Sequence, residues 1–255
     1  MDATPLLNPS DPHPVRSVGS FLSEGPFVLV GDHAGTAIPE RLGDLGLSKE
    51  DRGRHIAVDF GVETLGRQLA ERLAAPFVWQ AYSRLVIDCN RRPGAPDLAA
   101  SVSDGSAVPG NIDLDEGALA MRKREVFDPY HEAITDLLDE RAAAGLNTIF
   151  ISLHSFTPVM NGTERPWEIG ILHDGAQDAF SLALLELLKD GPSVIGDNEP
   201  YDMDDTDFTV PHHAFRRGLP YAEIEVCQDV LAARSETVAD TLAQVFRQAA
   251  ARIAS

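Results

Sequence analysis

Basic residues are scarce in this chain: 21 Lys and Arg stand against 40 Asp and Glu, a formal charge of −19 over 255 residues. Binding nucleic acid needs a basic face to neutralise phosphates, and adhesion to anionic lipid needs a basic cluster, so neither partner is expected. Cysteine is scarcer still, with Cys89 and Cys227 alone. No disulfide framework is expected, and reduced thiols suit a cytoplasmic protein. No apolar run approaches the roughly 18 residues that span a bilayer. The opening MDATPLLNPSDPHPVRS has neither the basic start nor the apolar stretch of a secretory signal. Its Pro, Ser and Asp content reads as a flexible arm over residues 1–20 that wraps the domain or stays mobile. The excess of acid is expected to serve solubility in the cytoplasm.

What the chain does have is apolar substance in short pieces. Hydrophobic residues make up 44% of it, enough for the core of one large α/β domain, expected over 21–255. Strands are expected at Phe27–Val30, Phe77–Tyr82, Leu85–Cys89, Thr148–His154, EIGILHD, Ser193–Ile195 and YAEIEVC. Leu65, Leu69 and Leu73 recur every fourth residue and predict a helix. Ala118–Ala144 reads as a long helix interrupted at Pro129, with further helices over Ala179–Leu188 and Thr237–Ile253. This alternation implies a single α/β domain with a mixed, mainly parallel sheet flanked by helices on both faces. Two long segments, Arg92–Asp115 and Asp197–Pro220, carry no regular pattern. Loops of that length in a compact domain are as a rule functional or disordered. Both follow expected strands, and open α/β sheets bind ligands at the carboxyl ends of their strands.

The run VLVGDHAG, Val28–Gly35, ends a buried-looking strand in an acid and an imidazole, Asp32 and His33. A mere turn would be served by Asn-Gly. His154 ends the strand TIFISLH, so two histidines stand at strand ends where they can converge. Either alone could be an ordinary polar strand end; beside two long loops, a shared site is the better reading. Neutral imidazole ligates zinc, and a catalytic zinc keeps three protein ligands and one open position. The third ligand is expected to be Asp59 in HIAVDFG, whose plain alternative is a helix N-cap. Asp32 and Glu40 are alternative ligands, and Asp32 could instead accept a ring N–H from a ligand histidine.

YSRLVIDCNRR places Arg84 before an apolar run and Asn90 and Arg91 after it. Arginine suits two-pronged capture of a carboxylate, and Asn90 can add a hydrogen bond. Pairing with surface acids is the alternative in so acidic a chain. Glu223 and Glu225 lie two apart in YAEIEVCQD and share one face of a strand. Glu225, nearer the carboxyl end, is the expected general base, taking a proton from water and delivering it to a leaving amine. His212 and His213 sit in the second long loop with Arg216 and Arg217. They could contact substrate, a role assigned to His213, or be ordinary surface residues. His55, His131 and His173 are read as structural. Cys89 as a nucleophile is the weaker reading, because a thiol inside a buried strand is inert.

The segments DHAGTAIP, RHIAVDFGVETL, YSRLVIDCNR, SDGSAVPGN, PYHEAI, SLHSFTP and IEVCQ follow one another between about Phe27 and Leu231. In this order they resemble the N-formylglutamate amidohydrolase family, itself similar to the zinc carboxypeptidases and aspartoacylase. The resemblance implies a zinc-carboxypeptidase-like (phosphorylase/hydrolase-like) fold and zinc or another divalent metal. It also implies hydrolysis of N-formyl-L-glutamate to formate and glutamate, or of another N-acyl amino acid or small peptide. The expected partner is thus a small acylated amino acid. By the same resemblance His33 and His154 match the metal-binding histidines, and Asn90 and Arg91 the pair that holds a substrate carboxylate, with Arg84 assisting. Glu225 matches the base. Thr36 stands where those relatives place a zinc-binding Glu, which leaves Asp59 to be argued separately. The rival from another class is a metal-free small-molecule binding module, and Thr36 is the feature in its favour.

Overall fold

The computed structural model describes residues 4–176, 178–204 and 206–254. Seven strands form one sheet: β1 (Val15–Val18), β2 (Phe27–Gly31), β3 (Phe77–Gln80), β4 (Ile149–Phe156), β5 (Ile169–Leu172), β6 (Ile195–Asp197) and β7 (Tyr221–Cys227). Their spatial order is β1-β3-β2-β4-β7-β5-β6. The central four, β3, β2, β4 and β7, run parallel; β1 lies antiparallel to β3, and β5, paired in parallel with β6, lies antiparallel to β7. This is the mixed, mainly parallel sheet that the sequence implies.

Central strands covered on both faces are near-continuous apolar runs. Along β2, Phe27 and Leu29 enter one core while Val28 and Val30 enter the other. Three helices cover the first face: α1 (Val62–Leu73), α3 (Ala179–Leu188) and α4 (Gln228–Ile253). There Leu69, Leu184 and Phe246 pack with Leu29, Ile151 and Ile224. Helix α2 (Asp128–Ala143) covers the second face, setting Tyr130, Ile134 and Leu137 with Val28, Val78 and Phe150. Truncating such a buried leucine to alanine costs about 2–5 kcal/mol.

Several sequence expectations are corrected or sharpened by the structure. Leu85–Cys89 is not a strand but a buried, turn-rich segment. Its carbonyls find side-chain partners instead of a neighbouring strand: Asn111 Nδ2 donates to Leu85 O at 2.9 Å and the buried Arg122 donates to Val86 O at 2.9 Å. Of the expected arm, Leu6 is buried in the second core and β1 is an edge strand of the sheet. Tyr82 OH also donates to Pro12 O at 2.6 Å. The long helix is two α segments, Glu116–Arg122 and α2, joined by a π-type turn at Lys123–Phe127. That widened turn accommodates Pro129, whose ring crowds the carbonyl four residues back and whose nitrogen donates nothing. The closing helix begins at Gln228, directly after β7, and is kinked at Arg234.

From β2 the chain passes through α1 to β3 on one side, then returns as β4 on the other. Such a reversal opens a crevice outside the carboxyl ends of the strands. His33 and His154 flank that crevice. Among the described residues, no helix is long and apolar enough to cross a membrane.

Candidate metal centre and active site

Local backbone needs explain the residues around His33. Gly35 passes so close to the end of β3 that a Cβ there would lie 2.2 Å from the carbonyl of Ala81. Only glycine fits, and Ala37 N–H then donates to Ala81 O at 3.1 Å. The carbonyl of His33 accepts the N–H of Asp59 at 2.9 Å, which ties the loop before α1 to the end of β2. Asp59 is not the N-cap of α1. That position is Gly61, at a left-handed φ of 80°, and no side chain caps the helix. The Asp59 carboxylate turns instead toward the histidines.

Asp59 Oδ2 lies 3.5 Å from His33 Nδ1 and 3.1 Å from His154 Nδ1. One ligand atom from each of the three residues falls within 4.8 Å of the others, and all three residues are buried. Zinc–ligand bonds of 2.0–2.1 Å at tetrahedral angles set neighbouring ligand atoms about 3.4 Å apart, close to the two separations from Asp59 Oδ2. The tautomers fit as well. His33 Nε2 donates to Asp88 Oδ1 at 2.7 Å, and His33 Nδ1 has no hydrogen-bond partner among the described residues. His154 Nε2 lies 3.0 Å from Ser152 Oγ and 3.5 Å from Asp32 Oδ2. With a proton on each Nε2, two ring lone pairs and a carboxylate oxygen face one point, an arrangement that could hold a cation; with a proton on His154 Nδ1 instead, that nitrogen donates to Asp59 Oδ2 at 3.1 Å.

The electrostatics agree. Burial, and then Arg84, oppose a charge on His33, yet Asp88 and Asp59 raise it above the ordinary imidazole range. Burial opposes a charge on His154 too, and hydrogen bonds to Asp32 and Asp59 raise it well above that range. A field that draws protons onto two buried rings draws a metal ion for the same reason. Asp88 stays ionised against the cost of burial because Arg84 and His33 hold it.

A cavity of about 390 Å³ opens on this centre, and Glu225, Glu223, Arg84, Arg91 and Asp207 are among the residues that line it. Glu225 pairs in register with His154 on β4 and with Gly170 on β5. Its Oε2 is buried without a partner. Burial raises its carboxyl to about 7, against the pull of His154. Glu223 pairs with Ser152, two residues further from the strand end.

The remaining expected residues separate. Glu40 is exposed and bonded to Asn8 and Ser10, away from the centre. Thr36 is also exposed, and the carboxylate that meets the two histidines is that of Asp59. Asp32 stands behind His154 and is held by Tyr130 OH at 2.7 Å. Arg84 donates twice to Asp88, at 3.0 and 2.7 Å, and its Nη1 lies 3.5 Å from Asp59. Arg91 reaches the cavity, with Nε donating to Asp97 at 2.8 Å. Asn90 Oδ1 accepts the N–H groups of Phe208 and Thr209 at 3.0 and 2.9 Å, and its Nδ2 donates to Asp207 at 3.1 Å. His213 departs from its expected place: it is fully buried, stacked on His131 and Phe150, and lines no part of this cavity. Cys89 is buried too, and burial raises its thiol well above the ordinary range.

Sequence reasoning did not assign Asp88, Tyr130, Ser152 or Asp207. A local signal existed for Asp88 alone, four residues after Arg84 in RLVID.

The model of the N-formylglutamate amidohydrolase family matches residues 25–232. Among solved structures, a gene product of Agrobacterium tumefaciens is 33% identical at a TM-score of 0.94, the match covering 98% of this chain and 100% of that one. The N-formylglutamate amidohydrolase of Ralstonia eutropha JMP134 is 17% identical at a TM-score of 0.67, with 93% and 97% covered, a likeness of fold. No curated protein matches.

Proposed function

The chain belongs to the N-formylglutamate amidohydrolase family, and we propose that it is a metal-dependent hydrolase of the linear amide in a small N-formyl or N-acyl amino acid. The observation that carries this reading is the convergence of His33 Nδ1, Asp59 Oδ2 and His154 Nδ1 beside the buried, unpartnered Glu225. Two imidazoles and one carboxylate suit zinc among the divalent metals. A cation held there supplies a Lewis acid for the amide carbonyl and lowers the pKa of water.

The chain's own residues supply the rest. Glu225 takes the proton from the attacking water and returns it to the leaving nitrogen as the C–N bond breaks. Arg84, fixed by Asp88, holds positive charge on the cavity wall where the carbonyl oxygen gains negative charge. Asp88 fixes the His33 ring through its Nε2–H, and Ser152 Oγ, with the Asp32 carboxylate beside it, fixes the His154 ring. N-formyl-L-glutamate is the substrate that the family's name puts first. The reading extends to other N-acyl amino acids, because the acyl and amine parts are chosen by the cavity and not by the fold.

The test is metal content and formate release with and without chelator. We expect bound zinc and hydrolysis that chelation abolishes and zinc restores. His33→Ala, Asp59→Ala and His154→Ala should each lose the metal. Full metal occupancy in the histidine variants, or hydrolysis untouched by chelation, would overturn the reading.

A further inference from the structure

We propose that the amine half of the substrate carries a positive charge, and that Asp207 selects for it. The proposal rests on the amide-hydrolase reading above and concerns the far wall of the same cavity.

Asn90 and Arg91 are the pair expected to hold a substrate carboxylate. In the structure a carboxylate of the chain is already there. Asn90 Nδ2 donates to Asp207 Oδ1 at 3.1 Å, and Arg91 Nη1 lies 3.9 Å from the same oxygen. Asp207 is held in place, because Asn90 Oδ1 accepts the N–H groups of the two residues that follow it. It is 9% exposed, so this is a built position and not a passing surface contact. Both arginines of the cavity are also engaged within the chain, Arg84 with Asp88 and Asp59, and Arg91 with Asp97.

The neighbouring groups are acids. Glu223 lines the cavity, is 2% exposed, and its Oε2 has no hydrogen-bond partner among the described residues. The hydrolytic steps leave Glu223 unused, and the acids committed to the metal centre, Asp59 and Asp88, are different residues. Asp202 and Asp204 add two exposed carboxylates to the same cavity. A side-chain carboxylate arriving here would meet Asp207 at close range, and a like charge so placed rejects a ligand, while Glu223, whose carboxyl burial raises well above the ordinary range, offers an anion no cationic partner. An ammonium or guanidinium would instead pair with Asp207, adding its charge to the neutral donors, Asn90 Nδ2–H and Asp204 N–H, that this carboxylate already accepts at 3.1 and 3.2 Å. The ligand class is therefore an N-acyl derivative of a basic amino acid.

The experiment compares N-formyl-L-lysine, N-formyl-L-norleucine and N-formyl-L-glutamate on the full-length, zinc-loaded protein. The three share the scissile amide and the α-carboxylate and differ in side-chain charge. We expect kcat/KM to fall in that order, with lysine over glutamate by about 100-fold or more. Asp207→Asn should narrow the lysine-to-glutamate ratio at least tenfold, chiefly through KM, with zinc content unchanged. Glutamate equal to or above lysine in the wild type overturns the proposal and leaves the hydrolase reading standing. So does a ratio that Asp207→Asn does not move. If none of the three is hydrolysed, the hydrolase reading is what has failed. The charge preference is then read from calorimetric binding of free L-lysine against L-glutamate, where tighter binding of glutamate, or equal binding, overturns it.

Discussion

Asp88 holds both His33, a member of the candidate metal-binding triad, and Arg84 of the cavity wall. Its Oδ1 accepts His33 Nε2–H at 2.7 Å and Asn90 N–H at 2.9 Å, and its Oδ2 accepts two N–H groups of Arg84 at 3.0 and 2.7 Å. Asp88→Asn preserves the volume but turns one acceptor oxygen into an NH₂ donor. Either His33 or Arg84 must then face a donor. Loss of the group that orients a metal-binding histidine costs about 10–100-fold in metal affinity, or about 1.4–2.8 kcal/mol. In the metal-free protein two charge-assisted contacts weaken together. Because the Arg84 side chain is 25% exposed, water compensates part of its loss, and we expect about 2–3 kcal/mol of destabilisation in all.

The sign of the pH dependence follows. Asp88 is held well below the ordinary carboxylate range, burial opposing this and Arg84 and His33 prevailing. Its contribution is present above the ordinary value of about 3.9 and is lost as pH falls through the lower, folded-state value. The stability gap between wild type and Asp88→Asn should be full at neutral pH and close in strong acid. Competition against a chromophoric chelator gives the affinity, and denaturant melts in excess chelator give the gap. Zinc affinity within about threefold of wild type would refute the reasoning, since the orienting bond would then be worth almost nothing.

Other expectations follow from the same contacts. Glu225→Gln should keep its metal and lose about 10²–10⁴ in kcat, while Glu223→Gln should lose far less; normal turnover by Glu225→Gln on a verified substrate would send the search for the base elsewhere. Burial raises Glu225 to about 7, so kcat/KM should fall as the base is protonated in acid, with the limb at or below that pH because a bound cation favours the carboxylate; a profile flat down to about pH 5 would count against it. His33 and His154 are raised in the metal-free protein, burial opposing and the neighbouring acids prevailing. Their protonated forms stabilise it below about pH 6.5, and that support is lost as pH rises through the raised values. Zinc must displace those protons, so its measured affinity should climb with pH, and a constant affinity between about pH 6 and 8 would contradict the ligand set. Arg122 is 2% exposed and donates to Val86 O, Gly110 O and Asn111 Oδ1; Arg122→Met should destabilise the fold by about 3 kcal/mol in denaturant melts, and a loss under about 0.5 kcal/mol would mean that those carbonyls find other partners.

The difference between what the sequence announces and what it conceals is one of range. Strands β2, β4 and β7 and helix α1 were legible because their signal is local: an apolar run or a spacing of four, closed by turn residues. The convergence of His33, Asp59 and His154 could be anticipated from the same signals, since the two histidines stand where a strand run stops and Asp59 stands just before the helical spacing begins. Leu85–Cys89 carries the same apolar run as a strand and is not one. What decides it is that Asn111 and Arg122, 26 and 36 residues away, take the carbonyls of Leu85 and Val86. A side-chain partner at that distance leaves no periodicity to read. With the segment misread, Asp88 inside it also went unassigned, although it holds both His33 and Arg84.

Asn90 and Arg91 carry the same difference into the active site. Their residue types announce a carboxylate, and the structure has one, but it belongs to Asp207, 117 residues away from Asn90. Residue type states what a position can bind; only the fold states what already occupies it. An arginine that already has an acid beside it gives an incoming acid little, and this is the reason for proposing that Asp207 rather than the arginines reads the charge of the substrate.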